Sequence, residues 1–424
     1  MIAFVLLPPF KFLMMESLAP HFKGSAADLI SEFGSPLYVY DAALMKQRYQ
    51  QLQAAFKGLD LRINYACKAN TNLNILRLFH QWGSGLDTVS IQEVKLGLHA
   101  GFAPEDIIFT PNGVSIAEIS EAVELGVRIN IDNLSLLEHF GERFGASYPV
   151  CLRFNPHIMA GGHSKISVGH IDSKFGISIH QTRHMERLVE SFGIRVSGVH
   201  MHTGSDILDV DTFLKGAELL LEVAAEMPDL EYIDFGSGFK VPYRPDEMST
   251  DVEELGEKMT VLFEEFCADY GRPLRIEFEP GKFLVSEAGA FLCTVNALKQ
   301  TTATVFAQVD SGMNHLLRPM LYDAWHEIEN LSNPKGRRRI YTVVGYICET
   351  DTFASDRPLP EVREGDILAF RNAGAYCFTM SSNYNSRFRP AEVLLQDGEA
   401  HLIRQRETMD DLLRNQIELA NVRV

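Results

Sequence analysis

Residues 62–70, Arg-Ile-Asn-Tyr-Ala-Cys-Lys-Ala-Asn, end a strand-like run in a lysine, and Asn70, Thr71 and Asn72 then open an apparent helix. A lysine at the mouth of a strand can form a Schiff base with an aldehyde if burial keeps its amine partly neutral. Read in isolation, Lys68 is better explained as a solvated surface charge. Other chemistry-bearing residues stand further on: Asp87, His200 to Ser205, Gly236-Ser237-Gly238, and Glu279-Pro280-Gly281-Lys282. Glycines in such runs let backbone N–H groups approach an anion closely. Singly these are ordinary features, since Gly-Ser-Gly makes a turn, a lone histidine is commonly structural and Glu-Pro-Gly makes a bend.

The elements that must carry these residues change that picture. From residue 61 onward, strands are expected over 63–66, 85–89, 107–110, 128–131, 149–155, 196–202, 232–235 and 275–279. Amphipathic stretches of helical length lie between most of them, as at 116–125, 212–227 and 252–270. Eight strands alternating with helices predict a TIM (β/α)8 barrel. A doubly wound open sheet is the competing reading, but no early GxGxxG turn supports it. Barrel active sites sit at the C-terminal ends of the strands, and the loops after strands seven and eight are the usual phosphate site. Lys68 then closes the first strand, Asp87 the second and His202 with Ser205 the sixth. Gly236 and Gly238 follow the seventh, and Glu279, Gly281 and Lys282 the eighth. A lysine and a glycine-lined anion site at one mouth fit a phosphorylated aldehyde cofactor.

Upstream, 37–40 reads as a strand, and Asp41 can cap a helix reaching Phe56. After about residue 285, strands over 291–295, 304–309, 341–344, 366–370 and 392–395 follow one another through turns, with a short helix over 409–416. The expected division is an N-terminal segment 1–35, partly extra or joining the β domain, a barrel over 36–284, and a β-rich domain over 285–424.

The chain of 424 residues carries 46% hydrophobic and 22% charged residues, ordinary for a globular protein with large cores. Its formal charge of −17 argues against a general nucleic-acid binder and leaves room for a locally positive site. The basic run at 335–339 therefore reads as a solvated turn. Cys67, Cys151, Cys267, Cys293, Cys348 and Cys377 are scattered without a CxxC pair, so no metal site or disulfide framework is expected, and reduced cytoplasmic thiols are. Residues 1–14 are mostly apolar but interrupted by Pro8-Pro9, too short to span a bilayer and unlike a signal peptide. A true start at Met14 or Met15 is expected, and no membrane partner.

Several segments carry a resemblance: YACKAN (65–70), DSKFGI (172–177), GVHMHTGS (198–205), DFGSGF (234–239), EPGK (279–282), LLRPMLYDAWHEI (316–328), CET (348–350) and NAGAYCFTMSSNYNSRFRPAEVLL (372–395). Together they resemble the fold-type III pyridoxal-phosphate decarboxylases, and within them the members acting on meso-2,6-diaminopimelate. The resemblance implies pyridoxal 5'-phosphate held covalently by Lys68, with His202 stacked on its ring and Glu279 paired with its pyridinium nitrogen, and Asp87 beside it. It implies phosphate binding by Ser205, Gly238, the Gly281 region and Tyr376, a further cofactor contact from Gly236, and substrate contacts from Lys282, Arg318, Tyr322 and Tyr376. Cys348, a proton donor, and Glu349, a contact for the distal ammonium, would enter the partner subunit's site in a homodimer. The implied reaction yields L-lysine and carbon dioxide. The alternatives are decarboxylation of ornithine, arginine or carboxynorspermidine, a non-catalytic regulator, or a racemase on the same fold.

Departures from the family pattern are visible. Lys282 replaces the common arginine after Glu-Pro-Gly, so a point charge stands where a bidentate fork is usual. Gly345-Tyr346-Ile347 lacks the usual proline, Thr350-Asp351-Thr352-Phe353 replaces Ser-Gly-Asp, and Ser237 interrupts a three-glycine run.

Overall fold

The computed structural model describes residues 23–158, 173–202 and 204–419. The question of the true start, Asp172 and Thr203 lie outside these residues.

Eight parallel strands form the barrel: Leu61–Ala66, Gly85–Thr88, Ile107–Phe109, Arg128–Ile131, Val150–Asn155, Val196–Met201, Tyr232–Asp234 and Arg275–Phe278. Each pairs with the next, and the ring closes where Phe278 of the eighth lies beside Ile63 of the first. All eight expected strands are present. After the second and fourth strands the chain turns directly into a helix, while longer loops precede the helices after the third, sixth and seventh. Ser90, Ser115, Asn133, Asp209 and Asp251 each accept a hydrogen bond from a backbone N–H of the following first turn. Helices Ile116–Leu125 and Val252–Tyr270 have the expected bounds. At the opposite end of the barrel, buried Glu277 accepts from Asn64 at 2.7 Å and Arg128 at 2.8 Å. Arg128 also lies over the Tyr232 ring at 4.0 Å. This end is stapled by charge, leaving the other for chemistry.

The second sheet is mixed. Its spine runs Thr352–Pro360, Arg338–Val344, Val305–Val309, Gly289–Gln300, Leu37–Asp41, Ala391–Gln396 and Glu399–Arg404. Leu37–Asp41 thus lies in this sheet, although the expected barrel segment begins at 36. It runs antiparallel to Gly289–Gln300, with Tyr38 opposite Phe291, and parallel to Ala391–Gln396, with Tyr38 opposite Glu392. Every residue of it is buried, and Tyr38 stacks on Phe291 at 4.3 Å. The chain therefore starts in the second sheet, crosses to the barrel through helix Ala42–Ala55, and returns after the eighth strand. Two further corrections are local. Arg338 and Arg339 begin a strand instead of completing a solvated turn, and the terminal helix spans only Met409–Leu413.

The two parts meet tightly at Gly374. A Cβ there would come within 1.7 Å of the Val285 carbonyl oxygen, in the turn that follows Glu279. Gly374→Ala is expected to cost about 1–3 kcal/mol through overpacking against rigid backbone. An unchanged denaturation midpoint would contradict this packing.

Candidate active site

Each barrel strand delivers one polar side chain to the mouth. Lys68 sits in the single turn Cys67–Ala69 just past the first strand, Asp87 in the second, Thr110 just past the third. Asn130, Arg153, His200 and Asp234 lie in the fourth to seventh, and Glu279 one residue past the eighth. All but Lys68 are buried. His200 and His202 share a face because strand side chains alternate.

Lys68 Nζ donates to Asp87 Oδ2 at 2.6 Å. Burial alone would depress the ammonium, but Asp87, Tyr376 and Glu279 more than offset it and hold Lys68 above the ordinary lysine value. The condition of a partly neutral amine is therefore not met at rest. The resting amine is protonated, because a buried carboxylate touches it. Burial and then Glu279 push Asp87 upward, while Lys68 pulls it back. Glu279 accepts from Thr110 Oγ1 at 3.5 Å and bonds His200 Nε2 at 2.9 Å. Burial opposes its charge, yet His200 and Lys68 keep it well below the usual carboxylate range. An ionised Glu279 can only accept, so His200 Nε2–H donates and its buried Nδ1 has no partner among the described residues. Burial, Arg153 and Lys68 depress His202, which is neutral as a result. His200, Asp234 and Glu279 also bring ligand-type atoms within 4.8 Å of one another.

The loop after the seventh strand is a backbone cradle. Gly236 has φ +61°, and a Cβ on it would meet the Met201 carbonyl oxygen at 2.3 Å; Gly238 has φ +124°, and its Cβ would meet the Gly204 carbonyl oxygen at 2.3 Å. Neither position tolerates a side chain. Ser205, Gly238, Gly281, Lys282 and Tyr376 line one pocket with Lys68, His202 and Glu279. Tyr376 reaches it from the loop after strand Ile367–Phe370, its N–H donating to the Ala69 carbonyl at 2.8 Å and its φ at +56°. Gly238→Ala is expected to displace the cradle backbone and lower affinity for an anionic ligand of this pocket by at least about tenfold. Equilibrium titration of the variant with pyridoxal phosphate checks it, and unaltered affinity would refute the cradle.

At the pocket rim, Lys282 contacts Asp206. Buried Arg318 opens the short helix Arg318–Tyr322 and lies over the Tyr243 ring at 5.0 Å, with half-buried Tyr322 at the helix end. Cys348 and Glu349 are elsewhere, exposed and absent from this pocket's lining. Asn385 Nδ2 donates to Cys348 Sγ at 3.0 Å, and Tyr384 donates to Glu349 at 2.8 Å. Their loop is pinned by Asp351, which accepts from Met313 N at 2.6 Å and Ile347 N at 2.9 Å. Asp351 thus has a structural task despite the departure around it. Residues the motifs did not point to are Arg153, Asp206 and Tyr243. Only strand-end position would have hinted at Arg153, and nothing local at the other two.

Comparison with known proteins agrees with this layout. Residues 42–286 match the family "Pyridoxal-dependent decarboxylase, pyridoxal binding domain". The chain is similar to a diaminopimelate decarboxylase of Methanothermobacter thermautotrophicus, 41% identical over 402 residues, 92% of this chain and 94% of that protein. A second, from Campylobacter jejuni, is 37% identical over 90% of this chain and 96% of its own length. The crystal structure of diaminopimelate decarboxylase from Helicobacter pylori complexed with L-lysine superposes with a TM-score of 0.85 at 34% identity, covering 92% of this chain and 98% of that one. Among the described residues no helix is long and apolar enough to cross a membrane. By these matches, and by the lysine, carboxylate and glycine cradle that share one barrel mouth, the chain belongs to the pyridoxal-dependent decarboxylases, in the diaminopimelate decarboxylase family.

Proposed function

We propose that this chain removes carbon dioxide from meso-2,6-diaminopimelate to give L-lysine, as a cytoplasmic homodimer that uses pyridoxal 5'-phosphate held by Lys68. The observation that carries the reading is the pocket itself, where Lys68, Glu279, His202 and a glycine cradle closed to side chains face one another. These residues fit the group. The lysine can bind its aldehyde and the cradle its phosphate. Neutral His202 can lie against its ring, and ionised Glu279 can hold a proton on its nitrogen. When bound, the cofactor supplies a sink for the electron pair left behind as carbon dioxide departs.

The chain's own residues do the rest. Asp87 Oδ2, 2.6 Å from Lys68 Nζ, is placed to take the proton that the amine must lose before it reacts. Ser205, Gly236, Gly238, Gly281 and Tyr376 would hold the cofactor's phosphate and so anchor it in the pocket. Arg318, Lys282, Tyr322 and Tyr376 read carboxylate oxygens, Arg318 through a planar fork. Cys348 and Glu349, exposed on a pinned loop, are offered to the second subunit as proton donor and ammonium contact.

Carbon dioxide release from diaminopimelate, ornithine, arginine and carboxynorspermidine, each with added pyridoxal phosphate, tests the substrate. Turnover is expected on diaminopimelate alone, and preference for any of the others would overturn the reading. Shared sites have their own test. Mixing inactive Lys68→Ala and Cys348→Ala chains should restore about a quarter of wild-type activity, since each mixed dimer regains one intact site. No recovery after subunit exchange would show that the sites are not shared.

A further inference from the structure

The rim of the pocket holds an acid that neither motif nor position singled out. Lys282 Nζ contacts Asp206 Oδ1, the two side chains being 10% and 23% exposed. Asp206 is firmly placed. It adopts φ +64°, follows pocket-lining Ser205, and precedes Ile207, whose N–H donates to the Gly238 carbonyl at 2.9 Å. Thr250 Oγ1 in turn donates to the Ile207 carbonyl at 2.6 Å. Across the rim, the Tyr243 ring has Lys282 Nζ 5.8 Å from its centroid and the Arg318 guanidinium carbon at 5.0 Å, so two cations share one aromatic neighbour. Among the described residues no carboxylate forms an ion pair with Arg318, and Lys240 nearby pairs with Glu247 at 3.8 Å. Asp206 is thus the acid that joins this cation pair.

Resting on the substrate reading above, we propose that Asp206 is a positioning residue. Its carboxylate tethers the Lys282 ammonium beside Arg318, so that the two cations form a subsite for a carboxylate of the substrate. An ammonium has three donors, and Asp206 engages one, so a substrate carboxylate can join the pair without displacing it. Burial depresses Lys282; Asp206 opposes this, while Arg318 and Lys240 add to the depression. Tyr243 faces the same ammonium, and Lys68, His202, Glu279 and Tyr376 line the cavity beyond it. Without Asp206, Lys282 should lose its proton at lower pH and the subsite one of its charges.

The probe is pimelate, a dicarboxylate without amines, titrated calorimetrically into the full-length holoprotein, together with KM for diaminopimelate across the same pH range. Wild-type affinity should be flat between about pH 7 and 9, whereas Asp206→Asn should weaken by roughly five- to tenfold over that span. KM should follow affinity, and kcat should move less. Asp206→Asn/Lys282→Arg should be flat again, because a guanidinium stays charged throughout. An Asp206→Asn profile parallel to wild type, or a double variant as pH-dependent as the single, overturns the proposal. If Asp206→Asn does not fold, Lys282→Gln carries the test. Pimelate should then bind at least about fivefold more weakly, and unchanged affinity overturns the proposal. Wild-type protein that releases no carbon dioxide from diaminopimelate would sink the substrate reading instead, which the pimelate titration does not depend on.

Discussion

Lys68→Ala is expected to lose covalently bound pyridoxal phosphate, seen as loss of its visible absorbance, and to lower turnover by at least about a thousandfold. The geometry makes the variant informative beyond activity. Asp87 is fully buried; its Oδ2 accepts from Lys68, and among the described residues its Oδ1 has no hydrogen-bond partner. Removing the ammonium strands a buried carboxylate, a loss of about 3–5 kcal/mol for a broken buried pair. Protonation can relieve part of it. Burial already raises Asp87, and without Lys68 nothing as close opposes that rise. A raised folded-state value means the folded chain binds the proton more tightly than the unfolded one. Asp87's contribution to the variant's stability should therefore be greatest below the ordinary aspartate value and fall as pH climbs through the raised one. Adding Asp87→Asn should flatten that dependence. Denaturant unfolding of the single and double variants at acid and neutral pH measures it. Retained absorbance and turnover in Lys68→Ala would remove the basis for the functional reading.

Glu279→Gln should lower kcat by about a hundred- to a thousandfold while the fold and bound cofactor persist. The substitution is nearly isosteric. A glutamine oxygen can still accept from His200 Nε2, which lies 2.9 Å from the present carboxylate. What disappears is a buried negative charge held ionised against its own desolvation by His200 and Lys68. An amide cannot keep a ring nitrogen protonated, so the electron sink weakens although binding through Lys68 and the glycine cradle survives. Single-turnover measurement with absorbance monitoring separates these effects. A kcat within tenfold of wild type would mean that Glu279 serves only to orient His200.

Much of the barrel was legible because its signals are local. Alternating apolar residues mark the strands, and a capping Ser or Asn follows within a few residues, as Ser90 and Asn133 do. Strand-end position then picked out Lys68, Asp87, His202 and Glu279. The second sheet was less legible. Ile328–Asn330 is short, and Thr352–Pro360 carries prolines that argue against a strand and are tolerated at the sheet edge it occupies. Leu37–Asp41 reads as a strand, but its assignment to that sheet depends on Phe291 and Glu392, hundreds of residues away.

Residue order alone thus settled the βα alternation, the lysine and carboxylate at the strand ends, and the glycines that follow them. Those properties follow from periodicity and backbone sterics within a few residues. The folded chain alone settled which charges touch. That Asp87 keeps Lys68 protonated, that His200 must donate to Glu279, and that Asp206 reaches Lys282 are consequences of closing the ring. Burial sets the cost of each charge and proximity sets its compensation, and neither quantity exists until distant strands meet.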